Sequence, residues 1–124
     1  MNPVNVTISV KVTWGKKRGK QLGIPTLNFS IPKTLTLPYG IYAGWLLQKD
    51  NKHQAAIHFG PRPQFKEANP SLEVYLFNNE FVKEKVNLKL QFVHFIRKIE
   101  TFPSIDNMLQ QITQDITEIK HHLT

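Results

Sequence analysis

The sequence has no cysteine among its 124 residues, which excludes disulfides and thiolate metal sites. It also lacks an apolar run of the roughly 20 residues that a membrane-spanning helix needs. The first residues show neither the basic nor the apolar region of a signal peptide, so we expect a cytoplasmic protein without a membrane role. The composition, with 40% hydrophobic and 20% charged residues, is typical of one globular domain, here 1–124.

Acidic residues are few as well. Nine Asp and Glu stand against sixteen Lys and Arg, which gives a net charge of +7. Such an excess leaves three classes of partner open: nucleic acid, an anionic membrane surface, or small phosphorylated ligands. The charge is partly concentrated in one glycine-rich stretch, whereas a patch for duplex nucleic acid is more often spread over a helix face. This distribution favours the phosphorylated ligand.

That stretch is Gly15–Asn28. Its first nine positions hold three glycines and four basic residues. Glycines let a backbone approach a phosphate closely, and the basic side chains supply counter-charge. Pro25 favours an extended Ile24, so Thr26 and Asn28 should point the same way and offer two neutral oxygens to one hard cation. The stretch predicts a site for a metal-bound polyphosphate, although solvated surface lysines and ordinary strand residues remain an alternative.

Hydrophobic periodicity predicts an antiparallel barrel or sandwich with one helix packed on it. Residues spaced three and four apart after Ser104 predict an amphipathic helix that reaches Leu123, with Ser104 as its N-cap. We expect a hairpin turn at Asp50–Lys52, and we expect the proline-containing Gly60–Pro63 to end a strand outside the ladder. The six predicted strands are Val4–Trp14, Thr26–Phe29, Gly40–Leu47, His53–Phe59, Ser71–Phe77 and Val86–Arg97.

The glycine-rich stretch is neither a Walker A loop, which ends in Gly-Lys-Ser/Thr at a helix, nor a Rossmann fingerprint, which needs a βαβ unit. Its pattern, Gly-x-x-x-Gly-Lys-x-Leu-Gly-Ile-Pro-Thr-x-Asn, resembles the signature of the riboflavin kinase family. The resemblance covers nearly the whole chain and implies an all-β fold, a six-stranded antiparallel Greek-key β-barrel with a C-terminal α-helix. Further segments resemble the family in the same order: Gly40–Ala43, Gly60-x-x-Pro63, Glu73 within Leu72–Leu76, Phe95–Phe102 and the helix Ser104–Leu123.

The resemblance implies transfer of the ATP γ-phosphate to the ribityl 5′-hydroxyl of riboflavin, which gives FMN and ADP. Glu73 would be the general base, and Thr26 and Asn28 would hold Mg²⁺. The implied nucleotide-binding residues are Gly15, Lys20, Gly23, Pro25, Thr26 and Asn28. The implied flavin-binding residues are Leu76, Asn78, Arg97 and Glu100. We expect a monomer without a nucleic-acid partner, and because the resemblance covers only the kinase module, FAD synthesis is not expected.

Two alternatives stay open. Most strand glutamates face solvent, so Glu73 could be one more exposed carboxylate, although it shares a face with Tyr75. The chain could also be a non-catalytic barrel that binds a flavin, a nucleotide or nucleic acid and has lost efficient kinase activity. Its departures from the family pattern fall mainly on the flavin side, at His58, Gln64 and Val82.

Overall fold

The computed structural model describes residues 3–13, 26–49, 51–77 and 87–124. Within these ranges the chain forms one antiparallel sheet, a short 3₁₀ turn at Pro63–Phe65 and a C-terminal helix, α1, at Ile105–Leu123. The strands are β1 Pro3–Val10, β2 Val12–Thr13, β3 Leu27–Phe29, β4 Gly40–Gln48, β5 Asn51–Arg62, β6 Glu67–Leu76 and β7 Leu88–Arg97.

The strand order is β1-β7-β4-β5-β6-β3-β2, and every pairing is antiparallel. Strands β4, β5 and β6 form a meander, and β7 returns to pair with β4, which is the Greek-key order. The end strands β1 and β2 are separated only by Lys11, so one extended segment pairs first with β7 and then with β3. This segment therefore contributes a strand to each end of the sheet. Among the described residues no ladder pairs β1 with β2, so strand pairing does not close the sheet into a barrel. The predicted all-β Greek-key class with a C-terminal helix is confirmed.

Alternating side chains of the strands fill one hydrophobic core. Ile57, Val74 and Leu90, from three different strands, are fully buried in it. Tyr42 is also buried, and its hydroxyl donates a hydrogen bond to the Pro38 carbonyl at 2.6 Å. Burial raises the pKa of Tyr42, so the phenol stays a donor. The core occupies one face of β6, and this leaves the opposite face of that strand for polar side chains.

The segment Gly60–Pro63 differs from its prediction. Gly60 pairs with Ser71 and Arg62 with Glu67, so the β5–β6 ladder continues across Pro61. The register shifts between Gly60 and Arg62, so the proline, which has no N–H to donate, lies at an irregularity of the ladder, where proline is tolerated. The prediction of a non-ladder segment was therefore wrong, and strand β5 carries Arg62 alongside β6.

The hairpin turn between β4 and β5 also lies earlier than predicted. Gln48 pairs with Asn51, so the connection has two residues, and Asn51 and Lys52 already belong to β5. Lys49 takes a left-handed conformation with φ of 48°, which is typical of short hairpin loops. The pairing register, rather than the local Asp-Asn-Lys composition, decides where the chain turns.

Helix α1 begins where the sequence predicts. The side chain of Ser104 accepts a hydrogen bond from the Asn107 backbone N–H at 3.1 Å, and Asp106 lies in the positive first turn. The helix packs on the sheet through Met108 and Ile119, which are buried. In the described part of the chain, no helix combines the length and apolar character needed to cross a membrane.

Candidate active site

Glu73 is a buried carboxylate at the centre of β6. It lies directly opposite Asn28 on β3 and His58 on β5, and its side chain is only 4% exposed. Directly opposite residues of antiparallel strands share a face of the sheet, so three polar side chains meet here on the face away from the core. The alternative of a solvent-exposed strand carboxylate is thereby wrong.

Three side chains donate hydrogen bonds to this carboxylate. Arg62 forms an ion pair through Nε with Oε2, and the Ser71 hydroxyl donates to the same oxygen at 3.0 Å. The Thr26 hydroxyl donates to Oε1 at 3.4 Å. A buried carboxylate is costly unless it is paired and hydrogen-bonded, and these donors satisfy both of its oxygens.

Two clefts meet at Glu73 and Arg62, which line both. The first, which we call the apolar cleft, has a volume of about 130 Å³ and lies between the sheet and α1. Its apolar lining includes Ile41, Phe65, Ile99, Phe102, Met108 and Ile112. The second, the polar cleft, has a volume of about 590 Å³ and lies beside β2, β3 and the start of β6. Its polar lining includes Thr13, Asn28, Ser30, Lys66, Asn69 and Ser71.

The two predicted metal ligands lie beside the carboxylate. Thr26 lines the apolar cleft and Asn28 the polar cleft, and both adjoin Glu73. Within the described ranges, no group of three or more His, Cys, Asp or Glu side chains could hold a metal ion. A hydroxyl and an amide oxygen still suit Mg²⁺, which takes few protein ligands when phosphates supply the rest. The other predicted nucleotide residues, Gly15, Lys20, Gly23 and Pro25, lie outside the described residues.

The predicted flavin residues are not all together. Arg97 and Glu100 line the apolar cleft, whereas Leu76 packs in the core and Asn78 lies outside the described residues. Arg97 is already engaged, because its Nε and Nη2 pair with the buried Asp115 at 3.0 and 2.8 Å. Its guanidinium therefore forms part of the wall and ties α1 to β7.

His58 forms another fixed part of this wall. Burial, reinforced by the positive charge of Arg62, lowers the pKa of His58 to about 4, so the ring is neutral at pH 7. Its Nε2 lies 2.9 Å from the Gly60 carbonyl, which can only accept, so this nitrogen carries the proton. The neutral ring lines the apolar cleft.

Gln64 is another lining residue of the apolar cleft with fixed partners. Its side-chain amide donates to the Phe102 carbonyl at 3.2 Å and accepts from the Phe102 N–H at 2.7 Å. This pair of bonds ties the segment after β7 to the 3₁₀ turn. The departure from the family pattern at Gln64 thus has a structural role, and the departure at Val82 lies outside the described residues.

Sequence reasoning missed Arg62, Ser71 and Asp115. Ser71 shares a face with Glu73 two residues later, so alternation could have identified it. Asp115 stands among the apolar stripe of α1, where a charged residue signals a buried partner. Arg62 gave no local signal, because its place beside Glu73 depends on the shifted register after Gly60.

The comparisons with known proteins agree with this geometry. The family model described as Flavokinase, riboflavin kinase, matches residues 2–123. The chain belongs to the riboflavin kinase family. The riboflavin kinase of Homo sapiens is 33% identical over 122 residues, which cover 91% of this chain and 77% of that protein. The bifunctional riboflavin kinase/FMN adenylyltransferase of Buchnera aphidicola subsp. Acyrthosiphon pisum is 31% identical over 119 residues, which cover 94% of this chain and 38% of that protein.

A solved structure supports the fold of this riboflavin kinase family member. It is titled a macrolide-efflux protein from Streptococcus pneumoniae, and it superposes with a TM-score of 0.74 at 22% identity. The match covers 94% of this chain and 39% of that chain. At this identity the likeness shows the architecture alone.

Proposed function

We propose that the chain is a riboflavin kinase that transfers the γ-phosphoryl group of ATP to the ribityl 5′-hydroxyl of riboflavin. The observation that supports this most is the position of Glu73, a buried, hydrogen-bonded carboxylate where an apolar and a polar cleft meet. Phosphoryl transfer depends mainly on positioning and charge neutralisation, with a carboxylate to orient the attacking hydroxyl. Family membership and the site chemistry point to the same reaction.

The two clefts suit the two substrates. The apolar cleft, with Phe65 and Phe102 in its wall, suits the flat isoalloxazine ring of riboflavin. The polar cleft, with Asn28 and Lys66, suits the phosphates of ATP. Because Glu73 lies in the shared wall, the ribityl chain of one ligand and the γ-phosphate of the other would meet at its carboxylate.

In the proposed reaction the oxygen of the riboflavin 5′-hydroxyl bonds to the γ-phosphorus, and Glu73 accepts the proton of that hydroxyl. The bond between the γ-phosphorus and the β–γ bridging oxygen breaks, and ADP leaves with the electron pair. Thr26 and Asn28 would hold Mg²⁺, which when bound neutralises charge on the phosphates. A positioned general base typically contributes about 10²–10⁴-fold to the rate.

One assay tests the proposal. The purified chain is incubated with riboflavin, ATP and Mg²⁺, and FMN and ADP are separated by chromatography. We expect both products in equal amounts, and Glu118→Gln, which removes an exposed carboxylate of α1, should leave the yield unchanged. A chain that makes no FMN with any divalent metal or nucleotide would be a binding module instead.

The cytoplasmic location, the monomeric state and the lack of a nucleic-acid partner stay predictions.

A further inference from the structure

The side chain of Arg62 lies in the wall that both clefts share, and it is 19% exposed. Its Nε donates to Glu73, but no described residue accepts a hydrogen bond from either terminal nitrogen. A guanidinium has five N–H donors, so four of them lack a partner among the described residues. Among the described residues, these terminal nitrogens are not buried polar atoms, so they face the clefts that Arg62 lines, and an acceptor can come from a ligand there.

We propose that Arg62 is an anion switch, which pairs with Glu73 in the free protein and turns its guanidinium to the γ-phosphoryl group when ATP binds. The inference rests on the proposed function and assigns a residue to it. A phosphate offers three acceptor oxygens and matches the planar fork of arginine better than one carboxylate oxygen does. The competition for Arg62 removes counter-charge from Glu73 when the γ-phosphate arrives, so the carboxylate is released to accept the hydroxyl proton.

Arg97 provides an internal contrast. Its Nε and Nη2 pair with Asp115, and its Nη1 donates to the Lys98 carbonyl at 3.1 Å. Each of its three nitrogens therefore has a protein acceptor, whereas Arg62 uses one. Both arginines line the apolar cleft, but only Arg62 also lines the polar cleft. Of these two guanidiniums, only that of Arg62 has both the position and the available N–H donors to bind a phosphoryl oxygen.

Arg62 changes neither the atoms nor the electrons of the transfer step. The hydroxyl oxygen bonds to phosphorus, the proton passes to Glu73, and the β–γ bridging oxygen leaves with ADP. Arg62 neutralises charge on the three oxygens of the moving group, as cationic side chains do in other phosphoryl transfers. It acts before the step by pairing with Glu73 and during the step by contacting the phosphoryl group.

The test measures binding of β,γ-imido-ATP and of AMP, each with Mg²⁺, by calorimetry. Glu73→Gln should bind the imido-ATP several-fold more tightly than the wild type, because a neutral amide oxygen competes for Arg62 more weakly than the carboxylate does. Arg62→Gln should bind it roughly 10-fold or more weakly, as expected for loss of a charge-assisted hydrogen bond. AMP has no γ-phosphate, so neither change should alter its affinity, and Lys89→Gln, which removes an exposed cation, should leave both affinities unchanged.

The double variant Arg62→Gln/Glu73→Gln distinguishes competition for Arg62 from simple repulsion between Glu73 and phosphate. The gain from Glu73→Gln should be smaller in the Arg62→Gln background than in the wild type, since the gain needs a free guanidinium. An equal or larger gain would overturn the switch and leave simple repulsion between Glu73 and phosphate. If Arg62→Gln alone does not fold because it leaves a buried carboxylate unpaired, the gain from Glu73→Gln is measured in an Arg62→Lys background instead, where it should also be smaller because lysine lacks the fork.

Turnover separates this inference from the proposed function. If the wild type makes no FMN, the kinase proposal fails whatever the binding data show. If the wild type makes FMN but Arg62→Gln binds imido-ATP as tightly as the wild type, only the switch fails. With the switch in place, Arg62→Lys should recover part of the kcat lost in Arg62→Gln, with the KM for riboflavin unchanged. A purely structural role would raise that KM as well.

Discussion

The two clefts that meet at Glu73 are built differently. In the apolar cleft several polar groups of the wall are bonded to other protein groups: Arg97 to Asp115, Gln64 to Phe102, and His58 to the Gly60 carbonyl. The polar cleft is the larger of the two and exposes amides, hydroxyls and a lysine. The first is held in shape by internal bonds and suits a rigid apolar ring, and the second suits a charged, metal-bound ligand.

The largest expected effect comes from the residue that both clefts share. Glu73→Gln should lower kcat by about 10²–10⁴-fold, because it removes the proton acceptor while an amide of the same shape can still accept from Arg62 and Ser71. Nucleotide should still bind, as calorimetry would show. Glu118→Gln is the matched control. Near-wild-type FMN formation by Glu73→Gln would mean that another group is the base.

The next change weakens the wall of the apolar cleft and leaves the polar cleft unchanged. Asp115→Asn removes the partner of a largely buried guanidinium, so the free energy of unfolding should fall by about 3–5 kcal/mol in a denaturant titration. The KM for riboflavin should rise while nucleotide affinity is kept. Replacing both members of the pair, Arg97→Met with Asp115→Leu, should restore most of the stability. If Asp115→Asn cost less than about 0.5 kcal/mol, the ion pair would not be what holds α1.

A third prediction concerns pH. Since the folded pKa of His58 is about 4, below the value near 6.5 of an unfolded histidine, only the unfolded chain gains this proton as the pH falls. The contribution of neutral His58 to the free energy of unfolding is therefore complete above pH 6.5 and is lost as the pH falls from 6.5 to 4. At pH 4.5 the loss should be about 2–3 kcal/mol. The stability difference between the wild type and His58→Asn should shrink by that amount between pH 7 and 4.5. Parallel curves would show that His58 titrates normally.

The smallest effect is expected at the edge between the clefts. Thr26→Ala removes one oxygen from the proposed Mg²⁺ site, so the Mg²⁺ concentration for half-maximal FMN formation should rise about 3–10-fold. Thr113→Ala, on the exposed side of α1, is the control. A titration curve identical to that of the wild type would remove Thr26 from the metal site and leave it only as a hydrogen-bond donor to Glu73.

Local patterns predicted the elements well and the connections less well. Alternation identified the strands, and spacing identified α1 with its N-cap Ser104, because both depend on nearby residues. The extent of β5 was underestimated, since Pro61 is tolerated only because the ladder shifts register there. The hairpin turn was misplaced because the pairing of Gln48 with Asn51, and not local turn preference, determines it.

For the site, the sequence by itself determined the types of residue and part of their arrangement. Thr26 and Asn28 had to share a face because they are two residues apart in an extended segment, and the order of motifs linked them to Glu73. Only the tertiary structure decided which cations face which carboxylates. Arg62 meets Glu73, and Arg97 meets Asp115, across 11 and 18 residues of chain. Those pairings follow from the strand register and from the docking of α1, neither of which a local pattern specifies.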